Sequence, residues 1–448
     1  MRSRRLWLAA LALALCALLS GCFVKTVDEL YALPRHSDEY DNLQRAIDAV
    51  MDEAGCEYSA PVSGSNRQSV QLADLDGDGE DEAVVFAKTA GEKPLKAYVF
   101  DRQDGSYQNI AVIEGDGAEF SCAQYVSMDD APGLELLLGR KLSDQVLQSL
   151  SVYTLSDGVV TEQMTANYSQ FTVADLDNDG KNDLLLLRLE ADSVSGVAEL
   201  CRFRSGRMER GHAQSLSAGA VQLRRITTGL AAYNIPAVFV TSAAADDSLV
   251  TDVFVFRGGA LQNLSAQSDA PHGARNALAY ACDINGDGIV ELPALVSLPA
   301  ADAQEQIYSL IRWYQLGLDG SQTVVLRTYH RFSDGWYVEI PESWDERITI
   351  SRAEDTAQAR GLTFSAWNGA EPSEPIFTIY AFTGAERQAQ AQKDGRFVLL
   401  EQGQTVYAAA LSAAAEAEGL TQESLRGLFH IIHVDWNTGE TLQGEAVS

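Results

Sequence analysis

Three acidic loops, each running straight into an apolar stretch, constrain this chain more than any other feature. They read DLDGDGEDE from Asp74, DLDNDGKND from Asp175 and DINGDGIVE from Asp283. Each places oxygen side chains at its first, third, fifth and ninth positions and glycine at its sixth. Like charges this close repel, so something must reward the chain for gathering them. The apolar runs that follow begin at Ala83, Leu184 and Leu292, and two similar runs without a full acidic loop begin at Leu136 and Ala237. The five starts lie 53, 48, 53 and 55 residues apart. That regularity favours a unit of about fifty residues with degenerate second and fourth copies over a unit twice as long.

Within a unit the pattern is β. SVQLADL, EAVVFAK, KAYVFDR and SYQNIAVIEG read as short strands parted by Gly, Asp and Ser turns. Four strands in about fifty residues, repeated, is the pattern of a β-propeller blade. A row of sandwich domains would need about twice that length per unit. Ahead of the first unit, SDEYDNLQRAIDAVMDEAG spaces Leu43, Ile47 and Met51 four apart. This predicts an amphipathic packing or linker helix, begun by Ser37 or Asp38 and stopped by Gly55. From about Phe332 the composition shifts: DGWYVEIPESWDERITI, LTFSAWNG and PIFTIYAF are β-like. TQESLRGLFHII opens with Thr421 as a candidate N-cap and Glu423 in the first turn of a short helix. The small-residue stretches SAGAV from Ser217 and AAALSAAAEAEG from Ala408 read as turn and helix. The expected fold is therefore all-β, a propeller of short four-stranded blades over 59–330. A small α+β domain over 331–448 follows it.

The loop chemistry points to a hard divalent cation. The candidate ligands are Asp74, Asp76, Asp78 and Glu82 in the first loop and Asp175, Asp177, Asp179 and Asp183 in the second. The third offers Asp283, Asn285, Asp287 and Glu291. Gly79, Gly180 and Gly288 supply the sharp bend that a chain wrapping a sphere requires. Calcium takes six to eight oxygens, and the carbonyl of Glu80, Lys181 or Ile289 and a water would complete each shell. An EF-hand also begins this way, but it needs a carboxylate at position twelve and a following helix. Here position twelve is Val85, Leu186 or Ala294, inside a strand-like run. The loops resemble the calcium loops of FG-GAP/VCBS-type repeats, the family of the integrin α-subunit propeller, over roughly residues 60–330. The resemblance implies that each loop joins the first two strands of a blade. It also implies metal-free second and fourth units, since Ser127, Asp129 and Ala131 stand at ligand positions in one and the other has no acids. Counting carboxylates ranks the Asp283 loop as the weakest site. The phrase YVEIPESW resembles the strand and Pro–x–x–Trp turn that open PsbP-like domains.

Residues 1–21 read as an export signal: Arg2, Arg4 and Arg5, then an apolar run of 14 residues, fewer than the roughly 20 of a spanning helix. Leu19, Ser20, Gly21 and Cys22 resemble the bacterial lipobox, which implies that Cys22 is acylated and becomes the new N-terminus. Such a protein would sit outside the cytoplasm at the cell membrane or envelope, tethered by lipid, with residues 22–58 as anchor, linker and helix. The chain carries 63 acidic and 33 basic residues, a net charge of -30, which argues against nucleic acid and against contact with anionic headgroups. Cys56, Cys122, Cys201 and Cys282 show no CxxC spacing. Export permits disulfides among them, and buried free thiols fit equally well.

Nothing in the sequence assembles into a catalytic signature. His36, His212, His272, His330, His430 and His433 are scattered, and no GxSxG, HExxH, P-loop or dinucleotide fingerprint occurs. The acidic pairs Asp129/Asp130 and Asp246/Asp247 point apart if they lie on strands. Trp313, Trp336, Trp344, Trp367 and Trp436 fall mostly in core-prone phrases. The expectation is a non-catalytic protein that binds protein or glycan at the envelope. The alternatives are a polysaccharide lyase or hydrolase on a propeller scaffold, and a scaffolding lipoprotein.

Overall fold

The computed structural model describes residues 38–142, 148–189, 196–217, 219–245, 248–267, 279–301 and 307–433. The signal segment, Cys22, His36, His272, Asp246, Asp247 and Trp436 lie outside them.

From Val70 to Arg331 the chain forms five antiparallel sheets in sequence order. The first contains Val70–Ala73, Glu82–Lys88, Leu95–Gln103 and Ser106–Gly115, with Glu57–Tyr58 also paired to Glu82–Lys88. The second contains Glu119–Val126, Glu135–Lys141, Gln148–Ser156 and Val159–Tyr168. In the third, Gln170–Ala174, Asp183–Arg188, Val197–Arg204 and Arg207–Arg210 follow one another, and Gln214–Ser215 joins the side of Val197–Arg204. Ala220–Ala231, Ile235–Ala244, Leu249–Arg257 and Ala260–Asn263 make the fourth. The fifth runs Leu292–Ser297, Ser309–Leu316 and Gln322–Arg331, and its opening strand is reduced to one bridge between Cys282 and Glu291. A β-bulge recurs at Val99/Phe100, Val152/Tyr153 and Trp313/Tyr314, the same point of three units.

The apolar runs are continuous because their strands are covered on both sides. In the first sheet Val84, Phe86 and Val99 meet Phe120, Leu136 and Leu138 of the second. Their neighbours Ala83, Val85 and Phe100 face the other way, onto Leu43, Ile47 and Met51 of helix Asp38–Ala54. The alternation continues along the stack. Leu137 and Val152 meet Leu184 and Leu186, Leu185 and Leu187 meet Val238 and Val240, and Phe239 and Val255 meet Leu292 and Tyr314. Burying a Leu, Val or Phe side chain contributes about 1.5–3 kcal/mol, so these interfaces dominate the stability of the stack. The blades are propeller-like, and the outer face of the first sheet is closed by the helix.

The fifth sheet continues through residue 331, where the sequence reading divides the chain, and adds Trp336–Glu339 and Phe429–Ile431. Beyond it lies a sheet of Ile348–Asp355, Ala359–Trp367, Pro372–Phe382, Thr405–Leu411 and Phe397–Gln402. Helices Arg387–Ala391, Ala413–Ala417 and Gln422–Leu428 accompany it. The two sheets share one core, in which Tyr329, Trp336 and Val338 meet Phe364, Phe377 and Phe429. Thr421 caps the last helix through Ser424 in a reciprocal pair of bonds. Two small-residue stretches depart from expectation. Ala220 and Val221 begin a strand, paired at its start with Ala244, and Ala408–Leu411 belong to another, where Ala408 and Ala409 are fully buried. Only Ala413–Ala417, capped by Ser412, is helical there. No helix among the described residues is long and apolar enough to cross a membrane.

Candidate metal loops

Each acidic loop is wound around its first aspartate. Asp74 accepts hydrogen bonds from the backbone N–H groups of Gly77 (2.7 Å) and Gly79 (3.1 Å), while Asp76 accepts from Asp78 and Asp78 from Glu80. The second loop repeats this with Asp175 accepting from Asp179 and Gly180, and the third with Asp283 accepting from Gly286, Asp287 and Gly288. The sixth-position glycines have φ of 89°, 84° and 85°, a left-handed bend that an L side chain would strain. Carboxylate oxygens of Asp74, Asp76 and Asp78 lie within 4.8 Å of one another, as do those of Asp175, Asp177 and Asp179.

The ninth-position acid does something different. Glu82, Asp183 and Glu291 turn inward and accept the N–H of the second loop residue, Leu75 (2.7 Å), Leu176 (3.3 Å) and Ile284 (3.1 Å). The degenerate second unit keeps this bond: Glu135 accepts from Met128 at 2.7 Å. Sequence reasoning found Ser127, Asp129 and Ala131 there and missed Glu135, which ends DDAPGLE at the same offset. Burial pushes the carboxyls of Glu82, Glu135 and Asp183 up to about 7, and raises Glu291 as well.

A second set of residues went unnoticed in the sequence. One residue beyond the strand partner of the first, second, third and fifth apolar runs stand Asp101, Thr154, Arg202 and Gln315, with Phe256 in that place in the fourth. The first three lie 27 residues after the first position of their loops, a fixed offset that was readable. Asp101 adds charge beside Asp76 and Glu82 and raises both. Gln315 donates to Asp287 (3.1 Å) and Glu291 (2.8 Å). Arg202 donates to Asp177 (2.7 Å) and lies 3.6 Å from Asp183.

Adjacent units are bolted together at the loops. The eighth residue of one loop donates its N–H to the preceding unit: Leu134 to Asp74 O (3.0 Å), Asn182 to Ser127 O (3.1 Å) and Val290 to Leu230 O (2.9 Å). Gly133 is pressed so closely on the first loop that a Cβ there would lie 2.1 Å from the Leu75 carbonyl oxygen. The fourth unit has no loop; Tyr233 and Asn234, both at positive φ, turn Ala220–Ala231 into Ile235–Ala244.

This donor set fits a hard cation. The Asp74, Asp76 and Asp78 ring presents carboxylate oxygen alone, with no nitrogen or sulfur ligand in the group. His330 is buried among Trp313, Phe332 and Tyr337, and burial depresses its pKa to about 3. His430 stacks on Tyr337 at 4.8 Å and pairs with Glu339, and it borders a cleft with His433 and Gln402. His212 lines a cleft of about 170 Å³ between the third and fourth sheets. Asp129 caps the Ala131 N–H while Asp130 sits 3.8 Å from Lys181, so the pair does not converge. Trp313, Trp336 and Trp344 are core residues, and Trp367 is half-buried. Cys56, Cys122, Cys201 and Cys282 are free thiols.

No family model matches the chain, and no curated protein matches it. Among solved structures it is similar to rhamnogalacturonan lyase YesW, at TM-score 0.28 and 12% identity over 69% of this chain and 70% of that one. It is also similar to the exotype rhamnogalacturonan lyase YesX (TM-score 0.25, 12% identity, 67% and 60% covered). A third is described as a putative 6-phosphogluconolactonase of Bacteroides fragilis (TM-score 0.25, 10% identity, 72% and 93% covered). The propeller-like fold is seen in the sheets themselves, which follow one another in sequence order and bury alternate faces against their neighbours.

Proposed function

We propose that this is a lipid-anchored, extracytoplasmic calcium-binding protein of the cell envelope, held by acylated Cys22. In this reading loops of the FG-GAP/VCBS type lock its sheets, and it binds protein or glycan without catalysis. The observation that carries the calcium reading is the ring of Asp74, Asp76 and Asp78, with Asp101 adding a further carboxylate beside it. Calcium, when bound, would neutralise the ring. Asp74 and Asp76 are already held in place by the loop's own N–H groups, and Glu82 ties the ring to the strand through Leu75. The test is thermal unfolding of the full chain in detergent, in millimolar calcium and in EDTA. Calcium at about a hundred times its dissociation constant adds about 2.7 kcal/mol. Equal melting temperatures in the two buffers would overturn the reading.

One observation favours a second reading, an enzyme acting on acidic polysaccharide. Arg202, Arg204, Arg210 and His212, together with Glu209, line the cleft between the third and fourth sheets of an otherwise acidic protein, with Arg202 paired to Asp177 and Arg210 to Glu199. Incubation with an acidic polysaccharide separates the two: capture without chain shortening supports binding, and shortened products support the enzyme.

A further inference from the structure

We propose that Arg202 is the built-in counter-ion of the second loop, taking the place that calcium takes in the first. The Asp175 loop is then closed without metal and is the weakest cation site of the three. This rests on the calcium reading above. Arg202 is 13% exposed, and its guanidinium donates to Asp177, lies 3.6 Å from Asp183 and is 4.1 Å above the ring of Phe256 from the next sheet. An arginine stays charged at every pH the protein survives, and its planar fork suits carboxylate oxygens. A divalent cation entering this loop meets a fixed positive charge already hydrogen-bonded to one of its candidate ligands, Asp177, and ion-paired with another, Asp183.

The position is the variable part of an otherwise constant unit. The place one residue beyond the strand partner of the apolar run carries Asp101 in the first unit, Thr154 in the second, Arg202 in the third, Phe256 in the fourth and Gln315 in the fifth. Carboxylate counting along the loops ranks the Asp283 loop last. Once the third-strand residue is included, the order becomes first loop, third loop, second loop. The first gains a carboxylate, the third gains an amide that donates to Asp287 and Glu291, and the second gains a cation.

Calorimetric titration of the full chain with calcium alone gives the number and affinity of sites. Asp76→Asn is expected to weaken the tightest site at least tenfold, whereas Asp177→Asn leaves the tight sites unchanged. Arg202→Gln is expected to create an additional site at least tenfold tighter than any weak binding at that loop, and Arg202→Gln with Asp177→Asn abolishes it. A wild-type tight site lost equally in Asp177→Asn and Asp76→Asn would overturn the proposal, as would a folded Arg202→Gln variant that gains no site. Should Arg202→Gln fail to fold, the Asp177→Asn comparison decides alone. If neither wild type nor Arg202→Gln binds calcium anywhere, the calcium reading itself falls.

Discussion

The first and second units carry the same inward-turned glutamate, yet only the first carries a ring of aspartates. Glu82 and Glu135 each accept the N–H of the second loop residue at 2.7 Å, and both are pushed up to about 7 by burial. Around Glu82 stand Asp74, Asp76 and Asp78; at the matching places around Glu135 stand Ser127, Asp129 and Ala131. The ninth-position acid is therefore part of the β architecture, a plug for a buried amide, and persists where the ring is gone. The ring is a separate layer added to that plug. What the loop of the second unit, Ser127 to Glu135, has in place of metal ligands is contact: Pro132 and Gly133 lie against Gly77 and Leu75 of the first loop, and Leu134 donates to Asp74 O.

The strongest attack on this comparison is Gly133→Ala. A methyl group 2.1 Å from the Leu75 carbonyl oxygen must push two backbones apart, and overpacking of this kind costs about 1–3 kcal/mol or more. Because Leu75 and Asp76 belong to the first loop, the same change should weaken calcium binding there, although Gly133 is in the unit without a ring. Denaturant unfolding and calcium titration of one variant check both halves; unchanged stability would show that the loops do not bear on each other.

Next in size is removal of the plug. Glu135→Ala leaves the Met128 N–H buried without an acceptor, at a cost of about 1–3 kcal/mol that is the same in calcium and in EDTA. Glu82→Ala should cost a similar amount in EDTA and more in calcium, since it also loses a ligand. Unfolding curves of the two variants in both buffers measure this. A Glu135→Ala loss that depends on calcium would break the division between plug and ring.

The parts that were legible in the sequence are those governed by period. The five apolar runs are spaced as the sheets are, the strands around EAVVFAK fall where the turns predict, and Leu43, Ile47 and Met51 line the buried face of the first helix. The turn glycines of the loops were legible because positive φ admits few other residues. What was not legible depends on partners distant in the chain. Glu135 looks like one acid among many until Met128 is seen to need it. Arg202 reaches the Asp177 loop only because strand Val197–Arg204 folds back beside Asp183–Arg188. The fifth sheet crosses residue 331 by a hairpin that pairs Gln322–Arg331 with Trp336–Glu339, and Phe429–Ile431 then returns from about ninety residues away to close its edge, a contact that no local pattern encodes.

The remaining expected effect is a pH slope, and it discriminates most finely between plug and ring. Glu135 has its folded-state pKa raised from 4.5 to about 7, chiefly by burial, so folding favours its protonated form. Its contribution to stability is fully present below about 4.5 and is lost as the pH rises through about 7, because over that window the folded state binds more protons than the unfolded one. Glu82 behaves the same way without metal, with the same window. Calcium favours the ionised carboxylate, so it should remove the share of Glu82 and leave that of Glu135 intact. Melting temperatures of wild type and Glu135→Gln, measured from pH 4.5 to 7.5 in calcium, isolate the second share. The glutamine still offers an oxygen to Met128 but does not titrate. Wild type should lose stability relative to Glu135→Gln as the pH rises; parallel curves would mean that Glu135 is ionised throughout and that its burial is less complete than its bond to Met128 implies.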